Sequence, residues 1–371
     1  MKEIKEVAAA LERKEYKQAA KLLKQLQKEK PENIWVKLYI GRWYEETDKL
    51  ESAEKAYRKL LKDATNPQVM TQARQGLQRI EAVQKQRQQE AIARAKSDPG
   101  NAEPALLILE PIDKENKENR QEAIQNFARI MNLDPYTARM QLQNSGWRIY
   151  RIGPMGELQI YSEQLVKVGI GAFAVAIADL ETVQVFKVRH IQSVKPKATV
   201  VCENQSGQKG SLTFNWSEVT AKVEALLPIF MDAMDYDPRR KKLEQFRRKE
   251  MIQDYANICD LHLPQRRAIL RFCDRAYHFQ EGLELSPQAT QGNTTENTNR
   301  IKWNSLIDLL NLHLGKIKIY SDFTPFGETT TRDYTQLLGR LKSYVEIERK
   351  ADSLWDPAFQ LYSLLACLKN S

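Results

Sequence analysis

A 34-residue recurrence near the start of the chain constrains its fold more than any other feature. Tyr16, Ala19, Leu23, Leu26 and Pro31 follow one another at spacings of three, four, three and five. Adding 34 to the middle three gives Ala53, Tyr57 and Leu60. Spacings of three and four place such residues on one face of a helix. Small residues at Ala19, Gly41 and Ala53 suit the close approach of two helices in a hairpin. Larger ones at Leu23, Tyr44, Tyr57 and Leu60 fill the space between hairpins, and Pro31 stops a helix. One unit of this kind cannot bury its apolar face alone, so successive units must stack.

With Ile40-Gly41-x-x-Tyr44 ahead of the second set, these residues resemble the tetratricopeptide (TPR) repeat family over about residues 1–82. The pattern departs from the family in three places. Trp35 lies two positions early for the family's tryptophan, the second proline is delayed to Pro67, and the first opening helix lacks the glycine and aromatic. Two units and a lone third helix are therefore expected. The resemblance implies peptide binding on a concave face lined by the first helix of each unit. Carried onto this register, that face takes Trp35, Leu38, Arg42 and Glu45 from the second unit, and Gln72 and Arg79 from the third helix. Trp35 and Leu38 suit packing against the central domain equally well. The family's basic clamp for carboxylate tails is not recognisable, so that ligand is not expected.

Charge is unevenly placed. Residues 1–96 hold 22 Lys and Arg against 14 Asp and Glu, while the rest of the chain is nearly balanced at 35 against 34. A basic arm attracts acidic proteins, nucleic acid and anionic membrane alike, so charge does not choose among them. No apolar run approaches the roughly eighteen residues of a membrane span. The start, Met1-Lys2-Glu3-Ile4-Lys5-Glu6, lacks the apolar stretch of a secretory signal, and a cytoplasmic protein is expected. Cys202, Cys259, Cys273 and Cys367 form no Cys-x-x-Cys pair and read as reduced thiols.

Beyond the arm, the chain reads as a multidomain α + β protein. The helix after Pro67 thins to Gln, Lys and Arg from Glu81 and ends at Ser97-Asp98-Pro99-Gly100, which marks a boundary. Three domains are expected: the arm with its extended helix at 1–96, a mixed α/β domain at 101–235, and a mostly helical domain at 238–371 with a polar loop near 286–299. In the middle domain, strands are expected at 105–111, 146–152 and 172–177, with helices at 123–131, 136–142 and 157–168. Three alternating runs follow, at 182–188, 199–202 and 211–216, then a capped helix from Ser217 to about Met231. A strand run closed by one helix is loosely similar to a pleckstrin-type lipid-binding barrel.

The segment 238–251 carries seven cations and two anions and is expected to be helical, either a solvated linker or a phosphate-binding patch. Its cations are Arg239, Arg240, Lys241, Lys242, Arg247, Arg248 and Lys249. Cys259-x2-His262-x10-Cys273-x4-His278 has zinc-like residue types, but both cysteines read as small apolar core residues on two amphipathic helices. No metal or cofactor is therefore assigned. Ser321 to Gly327 reads as a loop with two exposed aromatics, Phe323 and Phe326, and the closing helices as 333–347 and 357–368. The order of elements across 101–371 resembles TPR-bearing proteins of cyanobacteria, a likeness that brings no activity with it.

The four histidines fall in no nucleophile or metal motif, and no P-loop, Gly-x-Ser-x-Gly or His-Glu-x-x-His is present. The expected function is a non-enzymatic scaffold, adaptor or assembly factor that grips a protein partner with the arm. The alternative is a nucleic-acid or anionic-membrane-surface binder that uses basic residues of the arm and 239–249.

Overall fold

The computed structural model describes residues 2–112, 117–236, 246–284, 299–349 and 351–370, with backbone alone at 2, 117–118, 232–236 and 246–250. The chain divides into two compact units, 1–95 and 96–371.

The first unit is helical. Its elements are α1 (Lys2–Glu12), α2 (Tyr16–Glu29), α3 (Ile34–Glu46), α4 (Leu50–Asp63) and α5 (Pro67–Ser97). Local chemistry sets the breaks. The Asn33 side chain accepts from Trp35 N (2.9 Å) and Val36 N (3.4 Å) at the start of α3. Asn66 does the same for Gln68 N (3.0 Å) and Val69 N (3.2 Å) ahead of Pro67, whose missing N–H costs nothing at a first helical position. Lys14 and Asp48 take positive φ in the tight turns inside the two hairpins. Ala19, Leu23 and Leu26 meet Val7, Leu11 and Val36 in one core. Ala53, Tyr57 and Leu60 meet Leu38, Val69, Ala73 and Ile80 in the next. Residues 34 apart thus do the same packing job in successive layers. Two hairpins and a fifth helix follow, as the recurrence requires, and beyond Ile80 α5 is mostly solvated.

The second unit joins two sheets. In the smaller, β1 (Pro104–Leu109) lies between β2 (Arg148–Pro154) and β3 (Ala172–Ala176), antiparallel to both. Alternate residues of β1 serve two cores. Ala105, Leu107 and Leu109 pack on α6 (Lys117–Met131), α7 (Pro135–Gln141) and α8 (Met155–Lys167), through Phe127, Ala138 and Leu158. Leu106 and Ile108 face the opposite core.

The larger sheet contains β4 (Gln184–Ser193), β5 (Ala198–Glu203), β6 (Lys209–Phe214), β7 (Ala221–Tyr236), β8 (Phe246–Leu263), β9 (Ala268–Cys273) and β10 (Lys318–Tyr320). Its order is β10-β7-β8-β9-β4-β5-β6, with β10 parallel to β7 and β4 parallel to β9. One face, with Val223, Ile258 and Ile269, packs on α13 (Trp355–Lys369), which is buried from Ala358 to Cys367. The other, with Cys259, Leu261 and Phe272, packs on α10 (Asn299–His313) through Trp303, Leu306 and Leu310. Helices α9 (Ile177–Glu181), α11 (Phe323–Asp333) and α12 (Thr335–Leu338) complete the unit. The fold is multidomain α + β.

Several local expectations are corrected. The segment after Ser217 forms one short turn, Trp216–Glu218, and then strand β7, so the likeness to a barrel closed by a helix fails. Residues 246–263 form β8, antiparallel to β7 from Ala221↔His262 out to Tyr236↔Phe246. Arg247, Arg248 and Lys249 therefore lie on a strand of a β-hairpin, while Arg239, Arg240, Lys241 and Lys242 lie outside the described residues. The polar loop at 286–299 also lies outside them except for Asn299. Phe323 and Phe326 are buried on α11, where both rings pack against Tyr362. The helix expected over 333–347 is reduced to α12. From Gly339 onward, side-chain anchors replace helix geometry: Arg271 donates to Ser343 O at 2.7 Å, and Arg189 and Lys187 hold Glu346 at 2.8 and 3.1 Å.

Candidate partner-binding surface

Helices α3 and α5 bring two of the predicted contact residues, Glu45 and Arg79, together beside Tyr57 on α4. The Tyr57 ring is 1% exposed and is flanked by two glycines. A Cβ on Gly41 would lie 2.6 Å from Tyr57 Cε1, and one on Gly76 would also strike the ring, at Cε2. Only glycine at both positions lets α3 and α5 close on an aromatic of this size. The Tyr57 hydroxyl donates to Glu45 Oε2 at 2.8 Å. Glu45 in turn accepts two bonds from Arg79, Nε to Oε1 at 2.6 Å and Nη2 to Oε2 at 2.9 Å. Burial and the bond to Glu45 push the Tyr57 hydroxyl well above its usual pKa, and the same carboxylate raises that of Arg79.

Five of the six predicted contact residues are at least partly solvent-exposed. Trp35, Arg42 and Glu45 are half-buried on α3, and Gln72 and Arg79 are exposed on α5. Leu38 is the correction: at 3% exposure it belongs to the core with Tyr57 and Leu60. It is buried with Ala53, Ala73 and Ile80 where α3 packs on α4 and α5. Glu45 and Arg79 satisfy each other, whereas Arg42 makes no ion pair among the described residues. Two features lay outside the sequence reading. Arg87 pairs with Asp48 at 2.6 Å, and Val83 is exposed beside them. With Glu45, Glu46 and Arg79, these residues line a shallow pocket between the end of α3 and the middle of α5. The 34-residue offset between Glu45 and Arg79 was a legible signal for their contact, since equivalent positions of adjacent repeats are spatial neighbours.

The second unit contains a fully buried polar network. Arg271 grips Asp260, Nε to Oδ1 at 2.9 Å and Nη2 to Oδ2 at 2.7 Å, and donates to Gln360 Oε1 at 2.6 Å. Ser363 Oγ donates to Asp260 Oδ2 at 2.6 Å and lies 3.0 Å from His262 Nε2. Burial lowers the His262 pKa to about 4, so its ring is neutral near pH 7. A serine activated for nucleophilic attack passes its proton to a histidine that the carboxylate orients. Here the hydroxyl stands between histidine and carboxylate, and Asp260, His262 and Ser363 are each 0% exposed. This arrangement braces β8 and β9 against α13. The zinc-like spacing is dispersed as well, because Cys259 and Cys273 face opposite cores of the sheet.

The β7–β8 hairpin also exposes apolar side chains. Leu226, Met251, Ile252 and Tyr255 are 49, 50, 47 and 44% exposed on the ribbon that bears Arg247, Arg248 and Lys249. No helix among the described residues is long and apolar enough to cross a membrane.

No curated protein and no solved structure matches the chain, and the likeness of residues 101–371 to cyanobacterial proteins gains no support. Residues 10–74 match the family model described as tetratricopeptide repeat, so the stacked hairpins of the N-terminal arm are repeats of that type, which commonly mediate protein–protein interaction.

Proposed function

We propose that this protein is a non-enzymatic adaptor or assembly factor that holds a protein partner on the α3–α5 surface of its repeat arm. The observation that carries this reading is that α3 presents a half-buried Trp35 and, two turns on, an Arg42 with no ion-pair partner among the described residues. An aromatic and an arginine on a rigid surface are the residue types that dominate binding energy at protein interfaces. Glu45, Gln72 and Arg79 supply a polar rim. The Glu45–Arg79 pair fixes the spacing of the two helices before any partner arrives, which lowers the ordering cost of binding. A structural role for the buried Ser363–Asp260–His262 network fits an adaptor better than an enzyme. All four cysteines are free and buried, which suits a reducing, cytoplasmic setting.

The test is capture from lysate by the whole chain at low and high salt, with Trp35→Ala/Arg42→Ala alongside. Protein partners that survive high salt and are lost from the double variant support the reading. Equal capture by a double variant that is still folded overturns the assignment of this surface.

The β7–β8 ribbon favours a second reading, binding to nucleic acid or an anionic membrane surface. Arg247, Arg248 and Lys249 follow one another in sequence on the same strand as the exposed Met251, Ile252 and Tyr255. Material captured in this mode washes off steeply as salt rises.

A further inference from the structure

The turn that follows β9 folds back on β4 and gathers two histidines and a glutamate. His190 Nδ1 lies 3.1 Å from Glu281 Oε2, and His278 Nδ1 lies 3.2 Å from Glu281 Oε1. One ligand-capable atom from each residue lies within 4.8 Å of the other two. We propose that His190, His278 and Glu281 form a binding site for a divalent transition metal of the zinc class, with solvent completing the coordination.

The backbone holds this trio in place. His278 N donates to Arg189 O at 2.7 Å, and Leu283 N donates to Ile191 O at 2.9 Å. Between them, Ile191 N donates to the Tyr277 hydroxyl at 3.0 Å. The turn is thus stitched to the two residues that flank His190. Gly282 lets it lie this close, with φ +76° and a missing Cβ that would stand 2.8 Å from His190 Cδ2. Any other residue there would push the turn, and Glu281 with it, away from the imidazole.

Glu281 satisfies His278 by a hydrogen bond but leaves His190 unsatisfied, and a metal would serve all three. Zinc bonds of about 2.0–2.1 Å in tetrahedral geometry hold ligand atoms roughly 3.3–3.5 Å apart. The two nitrogen–oxygen separations, each to a different oxygen of Glu281 and the His278 one a hydrogen bond, are close to that spacing. His190 Nδ1 is also buried and lacks a hydrogen-bond partner despite its approach to Glu281. A buried ring nitrogen left in this state is costly, and a metal would satisfy it. Two imidazoles with one carboxylate select zinc-class ions over the hard, all-oxygen preference of calcium and magnesium. The His278 and Glu281 side chains, 43 and 56% exposed, leave the outer side open for an ion to enter. His278 thus takes His190, 88 residues away in sequence, where its spacing pointed toward Cys273.

The test uses the whole chain, stripped with a chelator, dialysed and titrated with zinc chloride. Calorimetry, with metal analysis after gel filtration, is expected to give one tightly held equivalent per chain and a rise in the thermal midpoint. His278→Ala and Glu281→Gln, checked for fold by circular dichroism, are each expected to lose that equivalent and the thermal shift. Both side chains are exposed, so neither change removes core packing. Absence of retained zinc in the wild-type chain overturns the proposal. So does an equivalent that persists in both variants.

Discussion

The Tyr57 hydroxyl donates to the Glu45 carboxylate at 2.8 Å, from a ring sealed between Gly41 and Gly76. One side chain of α4 thereby joins the packing of the repeat to the charged surface of α3 and α5. Replacing it by Phe keeps the ring and removes the bond. Tyr57→Phe is expected to destabilise the arm by about 1.5 kcal/mol, the usual worth of a bond to a charged group. Chemical denaturation followed by helical circular dichroism measures this; an unchanged midpoint would show that Arg79 alone holds Glu45.

Gly76→Ala sets two effects against each other. Helix propensity favours Ala by about 1 kcal/mol. The added methyl would meet the aromatic carbons of Tyr57, which is ring and not a flexible chain end. Overpacking of this kind costs about 1–3 kcal/mol, so net loss of stability is expected. A higher melting temperature for the variant would mean that α5 can move away from Tyr57 at little cost.

Asp260 receives bonds from Arg271 and Ser363 at 0% exposure. Removing its charge leaves the guanidinium buried without its counterion. Asp260→Asn is expected to cost about 3–5 kcal/mol by denaturant titration of the second unit. Ser363→Ala, which removes one donor and leaves the ion pair, should cost clearly less, and the reverse order would refute this division of labour.

His262 gives stability a pH dependence of known sign. Its pKa falls from 6.5 to about 4 on folding because burial disfavours the charged ring. The unfolded chain therefore binds the proton more tightly. Stability is complete above pH 6.5, declines as pH falls toward 4, and stops declining below that. The loss is roughly 3 kcal/mol over that window. His262→Gln should flatten the slope there. A further loss at lower pH is expected in both proteins. Arg189 and Lys187 hold the Glu203 carboxyl down at about 2, so its contribution is lost only as pH falls from 4.5 toward that value.

Helices were legible where apolar residues recur every three or four positions, as in α2, α4, α6 and α8. The two long strands were not. Ala221 to Leu227 contains Lys, Glu, Ala and Leu, all good helix formers, and Arg247 to Glu250 is wholly Arg, Lys and Glu. Their strand state comes from pairing with each other, a long-range gain that overrides local propensity. Ile258 to Leu261 is buried on both faces of the sheet, so its apolar run shows no clean alternation and mimics a helix segment. Within the candidate surface, the register placed Glu45 beside Arg79, and the two meet. The burial of Leu38 was not legible in the register, because it depends on how α3 packs on α4 and α5.

The sequence by itself determined the repeat arm. There each contact joins residues within about one repeat length, so local periodicity carries the packing. Only the tertiary structure decided the order of the large sheet, the burial of Asp260, Arg271 and Ser363, and the meeting of His190 with His278 and Glu281. The Asp260 contacts with Arg271 and Ser363 join residues 11 and 103 positions apart. Loop closure lets any of many such pairings form, and shared burial selects one.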